Sequence, residues 1–300
     1  PLMAERPILP FLVACLGIGS FSLMDALMKA LVLTIGVYDA MLWRSLAALA
    51  MLLPLYLILR RRQRPTRAAM RLHLRRSLVL LPMALSFFWA LGRLPLAEAI
   101  ALSFIAPVIA LYLAALLLGE TIGRSAIIAS ALGLLGVTVI VGGRLSGDYD
   151  ADALLGAGAV LFSACLFAYN LILARRQAQI AGPMEIAFVM GALIAVYYAL
   201  AAPWFASVPD AAAWPAILGA AALSSVSLLL LSWAYARAEA QVLIPVEYTA
   251  FLWASLFGWL FFAERPGWPV LAGAALIVTG SLIAARAKPK LVQTVEIDAV

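Results

Sequence analysis

The sequence has few charged residues, one histidine and two cysteines. Charged residues make up 12% of the chain and hydrophobic residues 66%, against roughly 25% and 45–50% in an average soluble domain. So many apolar residues cannot be buried in one globular core. The single histidine, His73, and the lack of an HExxH or comparable cluster leave no metal ligands or base for an intramembrane enzyme. Cys15 and Cys165 both fall in apolar runs, so no disulfide framework or redox role is predicted.

Long apolar runs fill most of the chain instead. A membrane-spanning helix needs about 20 predominantly apolar residues, and ten such segments are predicted. They lie at residues 7–30, 39–59, 77–92, 96–119, 124–142, 153–174, 184–205, 214–235, 240–263 and 268–285. The connections between them are too short to hold a soluble domain. The predicted fold class is an all-α polytopic membrane protein.

The basic residues predict the orientation. With both termini cytoplasmic, the termini and the cytoplasmic loops carry 16 of the 21 lysines and arginines, as the positive-inside rule requires. Eight of these arginines lie between Arg60 and Arg76, in a predicted loop that also holds His73. This loop is interpreted as a topogenic anchor, with binding to anionic lipid headgroups as the alternative. The net charge of +6 therefore reflects membrane topology and not binding to nucleic acid. The expected location is a bacterial inner membrane.

The chain also repeats itself. A shift of 144 residues lays the segment Trp89–Gly136 on Trp233–Gly280 without gaps, and 12 of 48 positions are identical. The identical pairs include Trp89 with Trp233, Arg93 with Arg237, Glu120 with Glu264 and Gly136 with Gly280. Earlier helices echo more weakly, as in Asp39 and Glu185 at an offset of 146. We therefore predict a first repeat at residues 1–146, a second at 147–288 and a disordered tail at 289–300.

Five spans in each repeat force the second repeat into the membrane upside down. Inverted repeats place a substrate site near the midplane, where the two halves meet, and allow the two sides to open alternately. A scaffold or anchor does not need this symmetry, so transport is the leading hypothesis. No Walker A pattern is present, which argues against direct driving by ATP.

Three stretches resemble EamA-type transporters of the drug/metabolite transporter superfamily. They are DAMLWRSLAALAML (Asp39–Leu52), LPLAEAIALSFIAPVIALYLAALLLGE (Leu94–Glu120) and IPVEYTAFLWASLFGWLFFAERPGWPVLAGAALIVTG (Ile244–Gly280). The resemblance covers nearly the whole chain. It implies a fold of two inverted five-helix repeats and export of small amphipathic metabolites, such as amino acids, aromatic ones above all, or drugs. Carriers of phosphorylated or nucleotide-sugar metabolites are more distant relatives and remain an alternative, as does a channel.

Amphipathic aromatic and polar residues are concentrated in the spans that are expected to meet at the repeat interface. Aromatic walls with a few polar groups suit a flat apolar ligand with a charged end. The candidate cavity residues are Phe88, Trp89, Ser103, Pro107, Tyr169, Asn170, Tyr235, Glu247, Tyr248 and Trp253. Packing is the alternative for each aromatic residue, helix shaping for Pro107, and helix capping for Glu247. No cofactor or metal is predicted.

A second group of candidates carries the charges near the span ends: Asp25, Lys29, Arg44, Glu120 and Glu264. Asp25 and Lys29 are four residues apart, so they are expected to pair on one helix face in the outer third of the membrane, with Arg44 as a second partner. They are interpreted as a neutralised packing network, with a functional role as the alternative. Glu120 and Glu264 are interpreted as structural latches that pair with nearby arginines or loop amides, and ion coupling is their alternative.

Proline and glycine complete the predictions. Pro107 is expected to kink the fourth span, but Phe251 stands opposite Pro107 and Ala101 opposite Pro245. The helix break in the second half is therefore expected to be displaced. Small residues on the fifth and tenth spans, Gly133, Gly136, Gly273 and Gly280, predict close helix contacts, either within one chain or in a homodimer. The sequence leaves monomer and dimer open.

Overall fold

The structure is a computed structural model that describes residues 8–60, 65–118, 124–145, 151–235 and 246–286. Helices and short connections make up all of these residues, without a strand. The helices are α1 (Ile8–Ile35), α2 (Val37–Arg60), α3 (Arg67–Leu91), α4 (Leu96–Ser103), α5 (Ala106–Leu118), α6 (Arg124–Leu145), α7 (Ala151–Ala178), α8 (Pro183–Phe205), α9 (Trp214–Tyr235), α10 (Thr249–Phe262) and α11 (Trp268–Arg286), with a 3₁₀ turn at Ala211–Ala213.

The helices confirm an all-α polytopic membrane protein. Within the described residues, seven segments are long and apolar enough to cross a membrane, one of which joins α4 and α5. Three shorter apolar helices, at Ile127–Gly143, Thr249–Phe262 and Trp268–Gly280, match the remaining predicted spans. The predicted tail at residues 289–300 lies outside the described residues.

The start of the third helix differs from the prediction. α3 begins at Arg67, ten residues before the predicted start at 77, because the Thr66 side chain accepts a hydrogen bond from the Ala69 N–H at 3.1 Å and caps the helix. Ala69 and His73 are buried on this added turn. The predicted placement of His73 in a basic loop is therefore wrong: the second part of that segment is an amphipathic helix.

The two ends of the bundle are named by residues that lie there. The Gly36 end holds the corner between α1 and α2, where Gly36 has a φ of 81°, together with Ser207 and Glu264. The Arg67 end holds the start of α3, the end of α7 and the start of α8. A residue with positive φ lets α2 follow α1 after a single linking residue, and glycine adopts that conformation without steric cost.

The two halves pack through equivalent helices. The fifth helices, α6 and α11, pack on each other, and so do the second helices, α2 and α8. The first helix of each half packs on the third helix of the other, α1 on α9 and α3 on α7. Because each contact has a counterpart when the halves are exchanged, the packing is that of two repeats related by a pseudo-two-fold axis.

Glycines form the contact between the two fifth helices. A Cβ atom added to Gly136 would lie 2.6 Å from the Gly273 carbonyl oxygen, and one added to Gly273 would lie 2.6 Å from the Gly136 oxygen. Gly280 meets the Ala129 carbonyl in the same way at 2.7 Å. The sequence left open whether these small faces pack within one chain or in a homodimer. The structure packs them within one chain, where they allow the two backbones to touch.

The fourth helix of each half is broken, and the two breaks are equivalent. In the first half the chain turns at Phe104 and Ile105 between α4 and α5; in the second it turns at Tyr248, just before α10. The 144-residue shift places Phe104 on Tyr248. The predicted displacement of the second break is therefore wrong.

Different local bonds produce these two breaks. Pro107 has no N–H to donate to Ser103, and the turn closes instead with the Phe104 N–H on the Ala101 oxygen at 3.3 Å. In the second half the Thr249 hydroxyl donates to the Val246 oxygen at 2.6 Å. The break thus follows the position in the repeat and does not require a proline at that site.

Candidate functional site

Two charged residues lie inside the bundle on its first two helices. Asp25 on α1 is 2% exposed, and Arg44 on α2 is close enough for the two charges to interact. The Arg44 guanidinium has weak neighbours: the sulfur atoms of Met24 and Met41 lie 3.8 and 3.9 Å from its Nη atoms, and the Phe88 ring centroid is 5.5 Å away. Asp25 Oδ1 and Arg44 Nε have no hydrogen-bond partner. These groups keep unused hydrogen-bonding capacity in a dry environment.

The predicted pairing of Asp25 with Lys29 is wrong. α1 continues to Ile35, so Asp25 lies about 15 Å from that end of a helix about 42 Å long, closer to its middle than to its end. Lys29, one turn further along, does not pair with Asp25 and bonds Glu264 instead. The partners of Lys29 explain the difference, because Glu264 and the Leu94 carbonyl oxygen bond its ammonium group.

A latch of Lys29 and Glu264 joins three parts of the chain at the Gly36 end. The Lys29 ammonium forms an ion pair with Glu264 Oε1 and donates to the Leu94 carbonyl at 2.6 Å. Glu264 Oε2 accepts the Leu96 N–H at 2.8 Å. Ala263, in the left-handed conformation with a φ of 54°, ends α10 and turns the chain toward Glu264. The latch ties α1 to the start of α4 and to the connection between α10 and α11.

A cavity of about 340 Å³ opens beside this latch. Its lining includes Pro95, Glu98 and Arg265. Glu98 is 2% exposed and lies within electrostatic range of Lys29, so a charged residue of the cavity wall interacts with the latch. Asp25 lies about 6 Å further from the Gly36 end than Lys29, at a rise of 1.5 Å per residue.

The second helices carry an acidic clamp at each end of the bundle. At the Gly36 end, Asp39 in the first turn of α2 accepts from the Ser207 N–H at 3.0 Å and from its hydroxyl at 2.5 Å. The Trp43 indole donates to the Ser207 carbonyl at 2.9 Å. Ser207 follows α8, the second helix of the other half. This clamp therefore fixes one half to the other.

The matching clamp at the Arg67 end uses Glu185, in the first turn of α8. Its Oε1 lies 3.1 Å from Nε2 of His73, and His73 Nδ1 lies 2.5 Å from the Gln177 amide. Arg76 donates to Gln177 and, at 2.7 Å, to Asn170. Asp39 and Glu185 correspond at the 146-residue offset, and each holds the segment that follows the other half's second helix. The two clamps thus share an equivalent acidic residue, while their partners, Ser207 and His73, lie at different positions of the repeat.

The centre of the repeat is marked by the two turn residues themselves. The rings of Phe104 and Tyr248 meet edge to face, with centroids 5.2 Å apart. Ser103, a predicted cavity residue, donates to the Ile100 carbonyl of its own helix at 2.7 Å, and Pro107 lies in the first turn of α5. The two broken helices therefore contact each other at equivalent positions.

The structure divides the predicted aromatic cavity into separate places. Phe88 lies beside Arg44, and the Trp253 ring packs against Gly19 of α1. Asn170 is bonded within the Arg67-end clamp, while Tyr169 beside it is 38% exposed. The cause is the length of α7, which carries residue 170 close to the Arg67 end.

The remaining candidate residues lie away from these groups or outside the residues that the structure describes. Trp89 has the Arg93 guanidinium 3.5 Å above its ring, as expected for an interfacial pair. Glu247 is exposed just before the break at Tyr248, and whether it lines a cavity stays a prediction. Glu120 and the side chain of Tyr235 lie outside the described part of the chain.

Several residues at these sites were not anticipated. Tyr198, His73, Gln177, Ser207 and Glu98 carry no motif, and tertiary packing alone brings them to their partners. Phe104 had a usable signal, because the 144-residue shift aligns it with Tyr248.

The comparisons with known proteins agree with this geometry. The sequence profile of the EamA-like transporter family matches residues 8–142 and 154–286. The chain belongs to the EamA-like transporter family. It is 28% identical to the pseudopaline exporter of Pseudomonas aeruginosa strain UCBPP-PA14, over 92% of this chain and 96% of that protein. It is 26% identical to a riboflavin transporter of Brucella anthropi, over 81% of this chain and 86% of that one.

A solved crystal structure shares the fold, with a TM-score of 0.57 and 19% identity over 93% of this chain and 96% of the other. This EamA-like protein is therefore an integral membrane protein of the drug/metabolite transporter type, and its family consists of transporters, not enzymes. The features that bear on its transport function are the charges of Asp25 and Arg44 inside the bundle, the latch and the two clamps.

Proposed function

We propose that this EamA-like transporter exports a small amphipathic metabolite from the bacterial cytoplasm by alternating access. The contact between Phe104 and Tyr248 carries the proposal: two equivalent helix breaks meet where inverted repeats face each other. A break at this place allows each half of the fourth helices to tilt without unfolding the other half. The positive-inside rule assigns the Gly36 end to the periplasm and the Arg67 end, with its arginines, to the cytoplasm.

The latch gives the proposed cycle a defined step. Lys29 and Glu264 join α1 to the connection between α10 and α11, so the Gly36 end is closed over the deeper Asp25 and Arg44. Export requires this ion pair to separate. The equivalence of Glu120 and Glu264 in the repeat makes Glu120 the proposed latch carboxylate of the opposite end.

The proposed cargo is a small metabolite with an apolar body and a charged end, such as an amino acid or a drug. Pseudopaline and riboflavin, the solutes named for the relatives, join the aromatic amino acids as compounds to test. Arg44 also suits a phosphorylated cargo, because a guanidinium binds phosphate as well as carboxylate.

Reversible cross-linking tests the alternating-access mechanism. Cys15 and Cys165 are first replaced by Ala, and Lys29→Cys is combined with Glu264→Cys. A bis-methanethiosulfonate cross-linker, which joins the two cysteines through disulfides and releases methanesulfinate, should stop the efflux of a radiolabelled solute from proteoliposomes, and cleavage of these disulfides by a reductant should restore it. The two single-cysteine variants, treated in the same way, are the controls. Unchanged flux through the cross-linked protein contradicts alternating access at this end, and a single-channel conductance in a planar bilayer contradicts a carrier altogether.

A further inference from the structure

Unsatisfied polar atoms are concentrated at one place in the bundle. In the part of the chain that the structure describes, four buried side-chain atoms lack a hydrogen-bond partner: Asp25 Oδ1, Arg44 Nε, Arg93 Nε and Tyr198 Oη. Arg93 lies over the ring of Trp89, away from the others. Arg44 interacts electrostatically with both Asp25 and Tyr198, although the three residues come from α2, α1 and α8. If these atoms lacked partners by chance, three of the four would not be expected in one cluster.

These three groups do not behave as a packing network. A structural ion pair inside a protein is stabilised when its members bond each other and every remaining polar atom finds a partner. Here the neighbours of Arg44 are two thioether sulfurs and an aromatic ring, which are weak acceptors. Asp25 is 2% exposed, and Tyr198 is also 2% exposed. A buried carboxylate, a buried hydroxyl and a partly buried guanidinium therefore each keep an atom free to form a hydrogen bond.

We propose that Asp25, Arg44 and Tyr198 bind the charged end of a zwitterionic solute, one that carries both a carboxylate and an ammonium group. Arg44 binds the carboxylate, with Tyr198 as a second donor, and Asp25 binds the ammonium. Phe88 and the methionines Met24 and Met41 contact the adjoining apolar part of the solute. This proposal deepens the proposed function and rests on it for the route by which the solute reaches the site.

Charge balance selects the zwitterion over other solutes. When Asp25 is ionised, as its pairing with an ammonium requires, Asp25 and Arg44 have a net charge of zero, and a zwitterion pairs with each of them without adding charge to a buried site. A simple carboxylate or a phosphate ester satisfies Arg44 but leaves negative charge beside Asp25, and a simple amine has the reverse problem. A neutral solute leaves both charges without a partner. The site thus disfavours the phosphorylated cargo that Arg44 alone would accept.

The position of the site fits release at the Gly36 end. Asp25 and Lys29 are four residues apart on α1, so the latch lies about 6 Å from Asp25 along the helix, toward that end. A solute bound at Asp25 and Arg44 reaches the cavity beside Glu98 when Lys29 and Glu264 separate.

Binding to the purified protein in lipid nanodiscs tests the site directly. The probes are the twenty proteinogenic amino acids, measured by isothermal titration calorimetry, followed by the decarboxylated and deaminated analogues of the tightest binder. For phenylalanine these analogues are phenethylamine and 3-phenylpropanoate. Loss of either charged group should weaken binding about 10- to 100-fold, the range for a hydrogen bond to a charged group. Equal affinity for all three compounds, or no binding by any of the twenty, overturns the proposal.

Variants assign each charge to its partner. Arg44→Gln should weaken binding of the amino acid about 10- to 100-fold but not that of the amine analogue, because the variant also removes the cation that disfavours a simple amine. Asp25→Asn should have the same effect with the carboxylate analogue as the unaffected compound. Arg67→Gln and Asp210→Asn, on exposed residues at the two ends, are the matched controls and should change nothing. Loss of affinity for all three compounds in both variants points to a structural role and contradicts the proposal.

Two further results keep the test independent of folding and of transport. If Arg44→Gln does not fold, the smaller change Tyr198→Phe removes one hydroxyl and should still weaken binding of the amino acid while sparing the amine analogue. Efflux of an amino acid that is unchanged by both Asp25→Asn and Arg44→Gln rejects the zwitterion site but keeps the exporter. Binding of the zwitterion without flux rejects the exporter and keeps the site.

Discussion

The first helices of the two halves are equivalent in the fold but bury different side chains. α1 buries Asp25 and Lys29, two charged residues, whereas α7 buries Ser163, Asn170 and Gln177, which are uncharged. The frame around them is the same in both halves: a broken fourth helix, a glycine contact on the fifth helix and an acidic clamp on the second. A symmetric frame with charges in one half separates two tasks. Both halves provide the movement, and the first half provides the groups that recognise a charged solute.

The largest effect is expected from Lys29, the buried cation on α1 that forms the latch at the Gly36 end. Lys29→Met removes the cation from Glu264, whose side chain is 19% exposed. We expect a loss of about 3–4 kcal/mol of stability, because one member of a buried ion pair is left without the other. The thermal unfolding midpoint in detergent measures it. Lys29→Arg retains the charge and is the control, and the double variant Lys29→Met with Glu264→Gln should recover part of the loss. An unchanged midpoint in Lys29→Met would show that the latch is not closed in solution.

The glycine contact tests the shared frame, and here both halves should respond equally. Gly136→Ala places a Cβ 2.6 Å from the Gly273 oxygen, and Gly280→Ala, at the equivalent position of the other half, places one 2.7 Å from the Ala129 oxygen. Each change should cost about 3 kcal/mol through overpacking against backbone that cannot move aside. Gly142→Ala on the same helix meets no atom within 4 Å and is the matched control. Unfolding midpoints of the three variants decide the point. Unequal losses in the two glycine variants would contradict the pseudo-two-fold contact.

The sequence predicted the frame well and the recognition chemistry poorly, for physical reasons. Apolar length sets the spans, and an odd number of helices per repeat sets the inverted arrangement, so both can be inferred from the chain alone. The partner of Lys29 cannot, because Glu264 is 235 residues away and only tertiary packing brings the two together. The i,i+4 spacing of Asp25 and Lys29 indicated a pair that does not form, because Lys29 bonds Glu264 instead.

The positions of one helix break and one helix start also differ from the predictions made from local composition. The break at Tyr248 follows its place in the repeat, although no proline stands opposite Pro107. Thr66 starts α3 early enough to bury His73, which a count of neighbouring arginines places in a loop. In both positions a single capping or turn bond outweighs the composition around it.

The two clamps differ in which atoms do the bonding, and this predicts an unequal response. His73→Ala removes an imidazole that bonds both Glu185 and Gln177, and should cost about 2 kcal/mol. Ser207→Ala should cost about 1 kcal/mol, since the backbone N–H continues to donate to Asp39. Chemical denaturation of the two variants in the same detergent gives the comparison. A greater loss in Ser207→Ala would mean that its hydroxyl, and not the backbone, holds the clamp.

The smallest effect is expected at the centre, where the two halves differ by one hydroxyl. Phe104→Leu retains apolar volume but removes the edge-to-face contact with Tyr248, and should cost about 1 kcal/mol. Tyr248→Phe retains both rings and is the matched variant, so its stability should change less. Solute flux in proteoliposomes provides the second measurement: if the paired rings are the point about which the halves move, Phe104→Leu should slow flux more than its small loss of stability explains. Wild-type flux in Phe104→Leu would show that the halves move about another contact, with the glycine crossing of α6 and α11 as the next place to test.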